Sequence, residues 1–296
     1  MRAEVVQAVE ELQKNRPESV ERALELLQRT VFSFSLKVCG QREDAEDTMQ
    51  ETLLKATAAL PKFTDAKALA VWLYKVAKTR CLMSRRRSKF APKEHLSLEV
   101  LMPDRVELER LAKAEENHPE RALLVSELGE RVRQVIQKLP PDYRLTLVLH
   151  DMEELSTEEI ARVMNLREGT VRVRLHRARV FVRNELMKSG DRRKTRARKV
   201  PQRPGRCKAL FAQLSDYLDN ELPVANCDEL EKHLDGCAPC QTFLKSLEAT
   251  VETLRQQKMQ GVDPDVAARS REELRTQLQQ ALHAAQENRQ PPAPGG

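Results

Sequence analysis

Apolar residues recur along this chain at the three- and four-residue spacing of helices, and almost nowhere at the alternate spacing of strands. The opening run AEVVQAVEEL is amphipathic at that period. In REDAEDTMQETLLKATAAL, residues Ala45, Met49, Leu53, Ala56 and Leu60 fall on one stripe and leave Glu46, Asp47, Gln50 and Glu51 as an acidic outer face. In LPKFTDAKALAVWLYKVAKTRCLMSRRRSK, residues Trp72, Leu73, Val76 and Ala77 are predicted to pack inward, with Lys75, Lys78, Arg80, Arg85, Arg86, Arg87 and Lys89 as a basic flank. Further on, Val171, Leu175, Ala178 and Val182 cluster on one side of a helix starting near Arg167, while Arg172, Val173, His176 and Arg177 centre about 160° away. Leu210, Phe211, Leu214 and Leu218 form another stripe, and Leu274, Leu278 and Leu282, with Val266 and Ala281 nearby, form the last. The pattern predicts an all-α protein.

Proline and charge runs cut this pattern into parts. We expect a helical block over 1–91, a Pro-bearing acidic linker over 92–126, and a second helical block over 127–188. A basic linker with nine Lys/Arg and one acid is expected over 189–206 and its immediate flank, followed by a small Cys-rich domain over 207–250 and a helical tail over 251–296. Composition sharpens this division. With 4% aromatics and nine glycines in 296 residues, a sheet-rich or Gly-loop nucleotide fold is disfavoured. The net charge of +6 is uneven: residues 207–296 hold nine Lys/Arg against fourteen Asp/Glu, so a basic body carries an acidic tail. No run approaches a membrane span and the amino terminus has no signal-peptide apolar block, so no membrane partner and a cytoplasmic location are expected, nucleoid-associated when active.

Two stretches carry candidate chemistry. In LSTEEIARVMNLREGTVRVRLHRARVFVRNEL, Ser156 and Glu159 make a capping box for a short helix, Asn165 can end it in the left-handed conformation, and Leu166 can plug the turn into a second helix. This is a helix-turn-helix. Its outward face suits a DNA major groove, where an arginine forks a guanine and a valine touches a thymine methyl; Arg167, Arg174 and Arg179 on the flanks suit phosphates.

The second stretch is His233-x3-Cys237-x2-Cys240, which brings three metal ligands together at a helix end. Cys207 is the favoured fourth ligand. Cys227, the rival, lies six residues before His233 on the same helix and about 120° away. Three sulfurs and one nitrogen leave no open position, so one structural or regulatory Zn2+ is expected rather than a catalytic one. Cys39 and Cys81 are expected to stand alone, and His95, His118 and His150 to be ordinary helix residues. No Ser/His/Asp set, paired carboxylates or phosphate loop stands out, so the chain is not expected to be an enzyme.

Three resemblances join these features. LPPDYRLTLVLHDMEELSTEEIARVMNLREGTVRVRLHRAR resembles the promoter-reading carboxy-terminal domain of bacterial extracytoplasmic-function sigma factors, including its GTVxxRLxRAR hallmark. The resemblance implies that Arg172, Val173, His176 and Arg177 read a minus 35 element. DAEDxxQET is similar to the family's polymerase-binding signature, implying that the helix bearing Glu46, Asp47, Gln50 and Glu51 grips the clamp helices of the largest catalytic subunit. It also implies contact of the promoter-reading domain with the flap of the second-largest subunit. The same likeness implies capture of a minus 10 base near 61–67, with Lys78, Arg80, Arg85, Arg86 and Arg87 on the DNA backbone. Thr48, Thr79 and Met83-Ser84 depart from the usual large apolar residue, Asn and Asp-Arg. The block from Cys207 resembles a zinc-binding anti-sigma domain, which implies that the tail regulates its own sigma factor. The alternative is a helix-turn-helix regulator that acts without joining polymerase.

Overall fold

A computed structural model describes residues 2–16, 18–86, 96–102, 125–187, 205–257 and 261–287. In chain order the described helices are α1 (Ala3–Gln13), α2 (Ser19–Cys39), α3 (Arg42–Ala59), α4 (Ala66–Arg86), α5 (Leu98–Leu101), α6 (Val125–Lys138), α7 (Pro141–Leu147), α8 (Thr157–Met164), α9 (Glu168–Met187), α10 (Gly205–Phe211), α11 (Leu214–Leu218), α12 (Val224–Asp235), α13 (Ala238–Arg255) and α14 (Pro264–Glu287). No strand occurs among the described residues, as the periodicity predicts. No helix among them is long and apolar enough to cross a membrane.

The chain forms two compact units, 1–89 with 258–296 and 90–257. This grouping differs from the linear division expected above. The Cys-rich domain joins the helix-turn-helix block, and α13 runs past residue 250 to Arg255 before the chain passes to α14, which belongs with the first block.

In the first unit, α1 to α4 close around Val5, Leu24, Leu27, Phe32, Phe34, Met49, Leu53, Leu60 and Leu73, with Phe34 and Tyr74 edge to face at 4.9 Å. The whole predicted stripe of α3, Ala45, Met49, Leu53 and Ala56, is buried together with Leu60 in the following turn. Gly40 makes the α2–α3 corner possible: its φ of 81° is open to glycine at little cost, and its N–H donates to the Leu36 carbonyl at 3.0 Å. Trp72 and Val76 differ from expectation in being only half-buried. Cys39 and Cys81 are not alone. The α2 end and α4 bring them to a Cα separation of 5.7 Å as a disulfide pair. Helix α14 lies against α2 and α3, burying Val266, Ser270 and Leu274, while Arg275 donates to Glu21 at 2.7 Å and Gln28 to the Ala267 carbonyl at 3.3 Å.

In the second unit, α7 runs into one π turn, Val148–Met152, which turns Asp151 into the interior. Arg144, buried, donates to the Leu139 carbonyl at 2.9 Å and so satisfies the end of α6. Ser156 accepts from the Glu159 N–H at 3.2 Å and Glu159 accepts from the Ser156 N–H at 2.8 Å, completing the predicted capping box, and Asn165 takes φ 56°. Val171, Leu175, Ala178 and Val182 are all buried. The opposite side of α9 is covered in part as well. Leu101 of α5 and Val180 of α9 share one apolar cluster with Leu210, Phe211, Leu214, Leu230, Phe243 and Leu247 of α10 to α13.

Candidate nucleic-acid interface and metal centre

The periodicity of α9 makes two faces, and the tail bundle sits on the second. Arg172 donates from Nε to Glu221 at 3.1 Å, and the Thr157 hydroxyl, at the start of α8, donates to the same carboxylate at 3.0 Å. His176 shares a 2.9 Å hydrogen bond with the Ser215 hydroxyl and meets the Phe211 ring edge to face at 5.4 Å. It is 3% exposed. Burial, with Arg179 and Arg177 nearby, pushes its pKa down to about 3, so the ring is neutral. Val173 and Arg167 remain exposed, Arg177 is half-buried, and Arg174 pairs with Asp142 at 3.0 Å.

Arg179 departs most from expectation. The helical arithmetic sets it on a solvated flank, yet its side chain is fully buried. Its guanidinium donates from Nε to Asp151 at 2.9 Å and from one terminal nitrogen to Asp219 at 2.7 Å. A planar guanidinium fork serves two carboxylates at once in a fixed geometry. Asp151 is held well below the ordinary carboxylate range: burial pushes the other way, but the Arg179 charge and hydrogen bonds outweigh it. His150 also belongs here, its Nδ1 2.9 Å from Asp151 and its Nε2 3.8 Å from Asp219, so it is not the ordinary helix residue expected. One turn further, Arg183 donates to the Ser246 hydroxyl at 2.7 Å and lies over the Phe243 ring at 4.2 Å. Sequence reasoning missed Ser215, Asp219, Glu221 and Ser246. Their only trace was the negative charge of the tail.

The four predicted metal ligands converge. Cys207 opens α10, His233 ends α12, and Cys237 and Cys240 flank the start of α13; their ligand atoms all lie within 4.8 Å of one another. His233 Nε2 stands 3.6 Å from the Cys207 sulfur and 3.4 Å from that of Cys240. Cys227 turns away, its thiol 3.5 Å from the Leu222 carbonyl. Three thiols and one imidazole at these spacings suit a closed tetrahedral site for a borderline-soft cation.

In the first unit, Asp47 is exposed, Gln50 is half-buried, Glu46 accepts from Arg42 at 2.9 Å, and Glu51 pairs with Arg80. The acidic face of α3 and the basic flank of α4 thus meet at the Glu51–Arg80 ion pair. Lys78 is half-buried on the same helix, and Phe63 and Trp72 approach to 5.7 Å beside the predicted base-capture loop. Lys55, Trp72, Lys75, Val76, Thr79 and Arg80 line an open groove. Arg87, His95, His118 and the 188–204 linker lie outside the described residues, as do the side chains of Arg85, Arg86, Leu278, Ala281 and Leu282.

Residues 23–90 match the family described as Sigma-70 region 2, residues 129–182 match Sigma-70, region 4, and residues 207–241 match "Putative zinc-finger". The chain is 29% identical over 178 residues to the ECF RNA polymerase sigma factor SigW of Bacillus subtilis, covering 60% of this chain and 94% of that protein. It is 32% identical over 177 residues to the RNA polymerase sigma-H factor of Pseudomonas aeruginosa, covering 58% of this chain and 89% of that one. With the ECF RNA polymerase sigma-E factor of Escherichia coli K12 it shares 33% over 152 residues, 48% of this chain and 74% of the relative. A four-helix block with an acidic α3, a capped helix-turn-helix after it, and relatives matched over most of their own length together place this chain in the family of ECF RNA polymerase sigma factors.

Proposed function

We propose that the chain is a sigma factor held in check by its own metal-bound tail, with the contacts of α9 as the switch. As a sigma factor it binds core RNA polymerase and promoter DNA and directs transcription initiation. Within that role, Glu46, Asp47, Gln50 and Glu51 of α3 are the residues that meet the polymerase clamp helices, and the region 4 block is the part that meets the flap of the second-largest subunit. Arg172, Val173, His176 and Arg177 read the minus 35 bases, with Arg167 and Arg174 on phosphates. Lys78, Arg80, Arg85, Arg86 and Arg87 hold DNA around the minus 10 element. Arg179 holds the bundle in place rather than a phosphate, and becomes available to DNA only on release. The work takes place in the cytoplasm.

One observation carries the regulatory reading: two of the four base-reading side chains, Arg172 and His176, are bonded to Glu221 and Ser215 of the tail. Glu221 and Ser215 of the tail occupy the place at these side chains where base edges would lie, so docking and promoter reading exclude each other. A zinc ion held by Cys207, His233, Cys237 and Cys240 supplies the cross-link that keeps α10, α12 and α13 together, because so small a bundle has little core of its own. Helix α14 adds a second contact on the α2–α3 face, where Asp263, just before it, lies 3.8 Å from Arg42 at the start of α3. The acid on Glu221 and the base on Arg172 make Glu221→Arg the direct test. Full-length protein carrying it should give more promoter-specific transcript with core polymerase than the parent, as should a chain ending near Ser189. Equal or lower activity in both removes the autoinhibitory reading. Arg172→Ala and Arg177→Ala in the shortened chain should each cost roughly 1–3 kcal/mol at a cognate minus 35 element and relax its sequence preference.

A further inference from the structure

The first unit holds a pair of sulfurs that neither the sigma activity nor the metal site uses. Cys39 is the last residue of α2 and Cys81 lies on α4, five positions before that helix ends. They are 5% and 1% exposed, and their Cα atoms are 5.7 Å apart, the separation a disulfide spans without backbone movement. The Thr48 hydroxyl of α3 lies 3.9 Å from one sulfur and 3.8 Å from the other. Thr48, a small hydroxyl residue on the buried face of α3 beside Ala45 and Met49, leaves room for both sulfurs, where a longer side chain would press between them. Three helices therefore converge on one sulfur pair.

We propose that Cys39 and Cys81 form a reversible, oxidant-driven disulfide that braces the polymerase-binding domain independently of the zinc site. With a hydroperoxide as oxidant the step balances: one thiolate attacks the peroxide oxygen and the alkoxide or hydroxide leaves, giving a sulfenic acid. The second thiol then displaces water from that sulfur, so two thiols and one ROOH yield one disulfide, ROH and H2O. Cys39 is the last residue of α2, where local opening would let a small peroxide reach the pair, and closure then shields the bond from bulky reducing thiols. In a reducing compartment the dithiol is the resting form, and the bond marks exposure to oxidant. The 42-residue separation encloses all of α3 and most of α4, so the bond restricts the unfolded chain where the domain's two functional helices lie.

The test uses full-length, metal-loaded protein treated with hydrogen peroxide. Remaining thiols are alkylated under denaturing conditions, and the chain is digested without reduction for mass spectrometry. The expected product is a Cys39–Cys81 linked peptide, two hydrogens lighter than the dithiol pair and lost on treatment with dithiothreitol. The first unit should then melt roughly 5–15 °C higher oxidised than reduced, and this difference should vanish in both Cys39→Ala and Cys81→Ala. Alkylated or sulfinic Cys39 and Cys81 while other thiols oxidise, or their linkage to the cysteines of the metal cluster, overturns the proposal. The peptide readout is made on the unaltered chain, so it stands even where an alanine variant folds poorly.

Discussion

The tail touches sigma domains twice, and the two contacts are built differently. On the first unit, α14 lays down one narrow buried stripe, Val266, Ser270 and Leu274, bordered by ion pairs such as Arg275 with Glu21 and Arg271 with Glu25, all in contact with water. On the second unit, the bundle places Asp219, 6% exposed, against a fully buried Arg179, and fuses its own apolar cluster with that of α9. Exposed ion pairs are screened and contribute little, whereas a desolvated pair is costly to break because it strands a charge. The first contact is a trimming force and the second a lock.

Loss of the metal should produce the largest effect on this contrast. Cys237→Ser is expected to release zinc and melt α10 to α13 while α14 stays on the first unit; metal content and amide exchange of each unit report it. Next, Asp219→Asn should weaken bundle docking by about 2–4 kcal/mol, since Arg179 keeps Asp151 but loses its second charge. Promoter-specific transcription by the full-length variant should rise accordingly, and an unchanged level would mean that the apolar cluster alone holds the bundle.

The pH dependence follows from His176. Its pKa in the docked form is near 3 against 6.5 when solvated, so between those values the released form binds the extra proton. Docking is at full strength above about pH 7.5 and loses about 1.4 kcal/mol per pH unit below 6.5 from this group. An imidazole titration by NMR should find His176 still neutral at pH 5 in the full chain and titrating near 6.5 in a chain ending near Ser189. Smaller effects belong to the α14 contact. Leu274→Ala should loosen it by about 1–2 kcal/mol, while Arg275→Ala should leave its melting unchanged within error, and added salt should not alter that result.

What could be read in advance was local. The capping box of Ser156 and Glu159, the left-handed Asn165 and the stripes of α3 and α9 are set by neighbours within one or two turns, and all formed as expected. The meeting of Cys207, rather than Cys227, with His233, Cys237 and Cys240 was also legible, because helical phase turns Cys227 away from His233. Long-range pairing was not. Arg179 meets Asp219 across forty residues and Arg172 meets Glu221 across forty-nine, and before folding each looks like any solvated charge on a helix. Cys39 and Cys81 lie forty-two apart on helices with no shared motif. His150 meets Asp151 within the π turn, a register change that a regular 3.6-residue count does not anticipate, and Asp219 from the tail.

The fused apolar cluster bears on how the bundle can leave. Leu210, Phe211, Leu214, Phe243 and Leu247 are buried in one apolar cluster with Val180 and Leu101, so separation wets both walls at once. An opened chain is therefore a sticky one, with two fresh greasy surfaces and a strong tendency to reclose or self-associate. Escape becomes durable only when another surface takes the place of the one removed, or when metal loss collapses one wall so that it no longer matches the other. The protein behaves less like a bolt that slides free than like a hand passed from one grip to the next.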